Sequence, residues 1–283
     1  MLPAFFLLLQ PAGAWEVVAF RVVCSLGVCV VLLLVTNGWR RLWAVIRTPR
    51  LLLGLALAGV VLYVNWQVFV LAVLGGDVVQ GALGYFINPV FTVLLGVIFL
   101  RERARPAQWV AIGVSVAAIV VLIVGYGSVP WIALILTASF GTYGLVKKRL
   151  GPRVDAISGL TVETTLLVPV AIVQLAIVGA TSGLVFGSHG PVQLIATLLS
   201  GVATGAPLLL FSAAARRLPL VSLGLAQYLT PVLQFLFGVL WLHEAMPTER
   251  WIGFALVWIA LVILVVAARR RAPRALPASA ESA

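Results

Sequence analysis

The stretch GYFINPVFTVLLGVIFLRE, Gly84–Glu102, has a counterpart in AQYLTPVLQFLFGVLWLHE, Ala226–Glu244. Each is an apolar run with a proline in its middle and a glutamate at its end. A shift of 142 positions carries Pro89 onto Pro231, Gly96 onto Gly238, Leu100 onto Leu242 and Glu102 onto Glu244. The same shift carries Trp109 onto Trp251 and Ala72 onto Ala214. Matching leucines would mean little in so apolar a chain. Proline, glycine, tryptophan and glutamate matching at one offset point to an internal duplication.

Composition sets the solvent. The 283-residue chain is 63% hydrophobic and 10% charged, whereas a soluble domain carries about 25% charged residues. Pro106–Val146 and Thr164–Ala215 contain no Lys, Arg, Asp or Glu, so a water-facing helix surface has nothing to be built from. Uncharged runs of this length are membrane-span candidates. Nine are expected: Trp15–Thr36, Leu51–Leu74, Val78–Leu100, Ala107–Val124, Val129–Val146, Ala156–Ala180, Val192–Ala215, Leu220–Leu242 and Trp251–Ala267. Backbone groups in hydrocarbon must pair internally, which makes these spans helices. The short alternating segments of a β-barrel do not occur.

The net charge of +11 reads as membrane topology, not as nucleic-acid binding. Arg40, Arg41, Arg47 and Arg50 share one connection. Arg101, Arg103 and Arg105 share another, and Lys147, Lys148, Arg149 and Arg153 a third. Arg216 and Arg217 follow, and then the tail RRRAPR at Arg269–Arg274. With alternating spans these groups all fall on one side. The positive-inside rule makes that side, and the C-terminus, cytoplasmic. The chain is therefore expected to cross its membrane many times. Met1–Leu9 is apolar but too short to span and lacks a secretory signal pattern. It reads as the end of a truncated first helix, with a nine-span protein as the alternative.

Counting that partial helix, each half holds five helices, and an odd number inverts the second copy. The expected fold is an all-α integral membrane protein made of two inverted five-helix repeats, residues 1–125 and 129–268, with a disordered tail at 269–283. Such symmetry suits alternating access, because the halves can exchange conformations. Pro89 and Pro231 each remove an amide donor and are candidate kinks or hinges.

Polar residues repeat as well. Tyr85, Asn88 and Thr92 lie at i, i+3 and i+7, on one helical face. Gln227, Thr230 and Gln234 have the same spacing at the same offset. These stripes either line a solute path or bond between helices; Tyr228 is a candidate aromatic wall. Asn65 is the stronger candidate of the Asn65/Gln67 pair, and Thr142 and Tyr143 are candidates for an inner mouth. Arg21 and Glu163 coincide at the 142 shift and sit inside spans, where an isolated charge is costly. Three readings stay open: a structural ion pair, contact with solute or gating, and snorkelling to the boundary. Glu16 reads as solvated near the outer boundary. Glu102 and Glu244 read as helix-end groups facing Arg105 or Arg250. Cys24 and Cys29 read as packing residues, and no cofactor or metal motif is visible.

On Asn65–Trp66, Gly84–Arg103, SFGTYGLVKKRL at Ser139–Leu150, VET at Val162–Thr164 and Gln227–Glu244, the chain resembles the RarD branch of EamA-type drug/metabolite transporters. The resemblance implies a ten-helix inner-membrane carrier of two EamA-type repeats, with a small organic metabolite or drug as its solute. It favours export; a titratable Glu163 makes protons, or another ion, candidate coupling partners. The chain departs from the family at LPAFF, Leu2–Phe6, where only part of a longer motif stands, and at Phe20, where the family usually carries His. The other readings are an intramembrane enzyme on a lipid-linked substrate and a membrane scaffold. No nucleophile–histidine arrangement supports the first, and the matched polar stripes argue against the second.

Overall fold

The computed structural model describes residues 2–101, 106–126, 129–188, 190–215 and 229–269. Gln227, Tyr228, Glu102, Arg103, Arg105, Arg216, Arg217 and the tail beyond 269 lie outside these residues. The described chain is helical without strands. Its elements are α1 (Leu2–Leu7), α2 (Ala14–Val35), α3 (Trp39–Ile46), α4 (Pro49–Leu74), α5 (Val78–Leu100), α6 (Pro106–Tyr126), α7 (Trp131–Leu150), α8 (Ala156–Thr181), α9 (Pro191–Ala215), α10 (Leu229–Leu236) and α11 (Thr248–Arg269).

Seven of the described helices, α2, α4, α5, α6, α8, α9 and α11, are long and apolar enough to cross a membrane. Two expected spans take another form. Val129–Val146 corresponds to α7, which begins at Trp131 and continues through Lys147, Lys148 and Arg149 to Leu150. Of Leu220–Leu242, the described part is α10 followed by a π-helical turn at Phe237–Trp241. Large apolar side chains face outward along the spans, among them Leu53, Val124, Trp131 and Leu210. A contiguous apolar exterior of this kind suits lipid. α3 is a short amphipathic helix in what the sequence presents as a basic connection. It buries Leu42 and Val45 and exposes Trp39, Trp43 and Arg40.

Local chemistry sets the helix ends. Thr48 is extended and Pro49 opens α4, where a missing amide costs nothing. Asp155 caps α8 by accepting the Ser158 amide at 3.3 Å. Between α4 and α5, Gly76 adopts φ +81° while the Asp77 amide donates to the Ala72 carbonyl at 2.8 Å. That closure needs a left-handed residue, which glycine supplies without strain. These tight connections alternate the helix directions. The turns at 75–77, 182–188 and 242–247 therefore share one end of the bundle, the turn end. α3 and residues 151–155 share the other, the basic end.

Helices 142 positions apart pack on each other: α2 on α8, α5 on α10 and α6 on α11. Packing is also reciprocal, with α4 on α8 and α2 on α9. Gly59 and Gly201, one offset apart, make these crossings possible. A Cβ at Gly59 would lie 3.2 Å from the Glu163 carbonyl oxygen, and one at Gly201 would overlap the backbone carbonyl of Cys24. The same relation recurs at helix ends. Arg101 and His243 are both left-handed, at φ 55° and 53°. The Arg101 amide bonds to the Gly96 carbonyl, and the Glu244 amide to the Gly238 carbonyl. Gly201→Val is expected to lower the unfolding free energy in detergent by at least 1–3 kcal/mol, roughly the cost of overpacking. Gly27→Ala, with open space around its position, should leave it within about 0.5 kcal/mol. Equal effects of the two would contradict the close α2–α9 crossing.

Candidate functional site

Two buried charges organise the interior. α2 carries Arg21, which is 4% exposed. Its Nε donates to Thr204 Oγ1 on α9 at 2.6 Å. Its guanidinium carbon lies 4.5 Å from the Trp66 ring on α4 and 5.2 Å from the Phe6 ring on α1. A guanidinium over an aromatic face is attracted by the ring's negative π-cloud, more strongly when water is excluded. Nη1 is buried without a hydrogen-bond partner among the described residues. Beyond it the rings continue: Phe6 meets Phe69 edge-on at 6.1 Å, and Phe69 meets Tyr85 at 5.6 Å.

Tyr85 links this aromatic group to a hydrogen-bonded chain. Its hydroxyl donates to Asn65 Oδ1 at 3.0 Å, and Asn65 Nδ2 donates to Ser139 Oγ at 3.0 Å and to the Leu136 carbonyl at 3.2 Å. Asn65 thus spends both ends of its amide tying α5 to α7. Gln67, two residues on and facing another way, joins a separate group. Gln174 Nε2 donates to Gln67 Oε1 at 3.0 Å, and Tyr63 donates to Gln174 Oε1 at 2.7 Å.

Glu163 is the second charge, with its side chain 0% exposed. It does not pair with Arg21. Lys147 Nζ lies 2.8 Å from Glu163 Oε1, and the Tyr143 hydroxyl donates to Oε2 at 3.3 Å. Tyr143 and Lys147 are four residues apart, so one face of α7 presents both to α8. Lys147 enters beside Gly159, where a Cβ would stand 3.1 Å from its Nζ. The lysine side chain keeps 22% exposure and so reaches inward from the basic end. Tyr143, expected near an inner mouth, is a partner of this carboxylate.

The polar stripes divide. Asn88 and Gln234 are buried, each with a side-chain oxygen lacking a partner among the described residues. Thr92 and Thr230 are exposed. Pro89 lies inside a continuous α5, and Pro231 within α10.

Two carboxylates act at the turn end. Glu16 is buried at 2% exposure, and contrary to the solvated reading it accepts the Val185 amide at 2.9 Å and the Phe186 amide at 2.8 Å. Phe20 stacks on Phe186 at 4.3 Å beside it. Glu244 reaches back to cap α5, accepting the Val78 amide at 2.7 Å and the Val79 amide at 2.9 Å. An orphan pair of helix N-terminal donors attracts a carboxylate in this way. Gly238 leaves the room, since a Cβ there would stand 3.1 Å from Glu244 Oε1. Arg250, expected as a partner of Glu244, bonds to the Ala245 carbonyl and acts on Glu244 through its charge.

Sequence reading passed over Lys147, Trp66, Phe6 and Gln174. For Lys147 the signal was present, because it stands one turn beyond Tyr143. Phe6 and Trp66 carry no polar signal, and Gln174 showed nothing beyond its isolation in an apolar run.

The model of the EamA-like transporter family matches residues 4–124 and again 129–266. The chain belongs to the EamA-like transporter family. Within it this is a RarD-type member. It is 46% identical over 274 residues to Protein RarD of Streptomyces exfoliatus, covering 97% of this chain and 86% of that one. It is 38% identical to Protein RarD of Escherichia coli strain K12, covering 93% and 88%. It is 35% identical to an uncharacterized transporter of Bacillus subtilis, again covering 93% and 88%. A crystal structure sharing 19% identity superposes with a TM-score of 0.62 over 95% of this chain and 94% of the other, which places the fold. This EamA protein is thus a multi-pass membrane transporter of the drug/metabolite type.

Proposed function

We propose that the protein is a secondary carrier that exports a small organic solute across the bacterial inner membrane by alternating access. Residues 1–125 and 129–268 act as two inverted repeats that enclose the route. The basic end is cytoplasmic, in keeping with the positive-inside rule, and α3 lies along that membrane surface with Trp39 and Trp43 at the headgroups.

One observation carries this reading. The central stripes change exposure in order of depth. Helical rise puts Gln234 and Thr92 about 4.5 Å to either side of the mid-span level, with Asn88 and Thr230 between them. From the turn end to the basic end the order is Gln234, Asn88, Thr230, Thr92. The first two are buried and the last two exposed. The carboxylates clasping the two halves, Glu16 and Glu244, both sit at the turn end. The arrangement fits a carrier shut toward the turn end and open toward the basic end. Exchanging the conformations of the two halves would reverse it. Pro89 and Pro231, at matching depth, are the proposed flexing points. Protons or another ion are candidate coupling partners through Glu163, and Gln227 and Tyr228 remain proposed wall residues.

Reconstitution tests the carrier. Purified protein in liposomes should give saturable flux of a labelled organic solute, responsive to an imposed ion gradient. Asn88→Ala should raise KM or lower the rate by on the order of 10-fold, as loss of a polar contact does. Properly folded and oriented protein that moves no solute in a broad metabolite and drug screen would remove the support for this function.

A further inference from the structure

The surroundings of Arg21 point to the solute's chemistry. Arginine stays protonated in any protein environment, so its charge must be balanced where it stands. Of the carboxylates that could do so, Glu16 is engaged by the Val185 and Phe186 amides, and Glu163 by Lys147 and Tyr143. Thr204 takes Nε and is neutral. No carboxylate among the described residues pairs with Arg21, and Nη1 is left buried without an acceptor. A desolvated cation with an unused donor is costly inside a membrane. The position is held all the same, with the Trp66 and Phe6 rings against it.

We propose that Arg21 anchors the carboxylate of an aromatic monocarboxylic solute whose ring packs among Trp66, Phe6, Phe69 and Tyr85. The proposal deepens the carrier reading and rests on it. The planar guanidinium fork matches a carboxylate, and Nη1 lacks the acceptor such a group brings. The surrounding rings offer π-faces and edges, on which an aromatic body stacks or meets edge-on as Phe6, Phe69 and Tyr85 already do. Trp66 orients the guanidinium from one side by the cation–π contact. Thr204 fixes it from another, so the fork is aimed before the solute arrives. Tyr85, held by Asn65, ends the ring series.

Binding can be read apart from transport. The purified full chain in detergent is titrated with benzoate and indole-3-carboxylate, with their primary amides, and with cyclohexanecarboxylate and inorganic phosphate, following the thermal unfolding midpoint. The aromatic carboxylates are expected to raise the midpoint saturably, and the amides to bind on the order of 10- to 100-fold more weakly, the range of a lost charge-assisted hydrogen bond. Arg21→Gln should abolish that preference for acid over amide. Arg21→Lys keeps a cation and should retain part of it. Trp66→Leu should reduce the preference for benzoate over cyclohexanecarboxylate. Amides binding as well as acids, phosphate binding as well as benzoate, no shift with any probe, or an Arg21→Gln or Arg21→Lys protein with unaltered selectivity would each overturn the proposal. Selective binding without flux in liposomes would sink the carrier reading and leave this site standing. Saturable flux of solutes without carboxylates, indifferent to Arg21, would do the reverse.

Discussion

Lys147→Met is expected to be the most damaging single change in the chain, lowering the unfolding free energy by about 3–5 kcal/mol, the cost of stranding one member of a buried ion pair. The Glu163 side chain is fully enclosed and holds two partners, the Lys147 ammonium at 2.8 Å and the Tyr143 hydroxyl at 3.3 Å. Removing the lysine leaves the carboxylate with one neutral donor and no exposed surface of its own. Glu163 cannot withdraw, because its backbone is pressed against Gly59 of α4.

The reverse substitution should be milder. Lys147 retains 22% exposure and stands in the last turn of α7, so in Glu163→Leu its ammonium can swing out to the basic end, as long basic side chains do at a membrane boundary. The double variant Lys147→Met with Glu163→Leu should recover most of the loss, since matched apolar groups often replace a buried pair at little cost. Denaturant unfolding in micelles of the wild type, two single variants and the double variant gives the comparison. Equal losses in the singles would mean that the two charges are equally wet, against the geometry. A double variant no better than Lys147→Met would mean that the pair does not act as a unit.

That asymmetry shows where sequence reading reaches and where it stops. The duplication was legible because Pro89, Gly96, Trp109 and Glu102 recur at one offset. The structure extends the series to Gly59 with Gly201 and Arg101 with His243, whose matching roles are close approach and backbone sign. The helices followed from the apolar runs. The partners of the charges did not follow. The LysLysArg cluster reads as a loop by its charge, yet α7 continues through it and turns Lys147 inward. Glu16 reads as wet from its place near a boundary, but the connection after α8 folds over it and supplies two amides. The stripe Tyr85, Asn88, Thr92 is one face by periodicity. Which part of a face is covered depends on the neighbouring helix, and that information is tertiary. Arg21 and Glu163 match in position, but their surroundings differ: aromatic rings around the arginine, a lysine and a tyrosine around the glutamate. A repeat can preserve a site's location while the side chains around it diverge.

The second large effect is expected at the turn end, where Glu16 and Glu244 each join the two halves. Glu16→Ala leaves the Val185 and Phe186 amides without their acceptor, at roughly 1–3 kcal/mol for each buried donor. Glu244→Ala does the same to Val78 and Val79. If these clasps hold the turn end shut, the double alanine variant should open it. A cysteine placed at Val79, now 1% exposed, should then react with a membrane-impermeant maleimide on the order of 10-fold faster, as the closed state loses its amide–carboxylate bonds. Unchanged labelling in the double variant would dissociate the clasps from gating. Acidity supplies an independent check on Glu244. Burial pushes its carboxyl above the ordinary 4.5, and this outweighs the Val79 and Val78 amides and the Arg250 charge that pull it down. A carboxyl with a raised pKa binds its proton more tightly in the closed state than in the open one. Its contribution therefore favours closure in acid and fades as pH rises through the raised value. Labelling at Val79→Cys, corrected for the reagent's own pH dependence, should be slowest in acid and quicken across that window. Glu244→Gln keeps one acceptor without titrating and should flatten the profile, whereas a wild-type pH response in Glu244→Gln would assign the switch to another group.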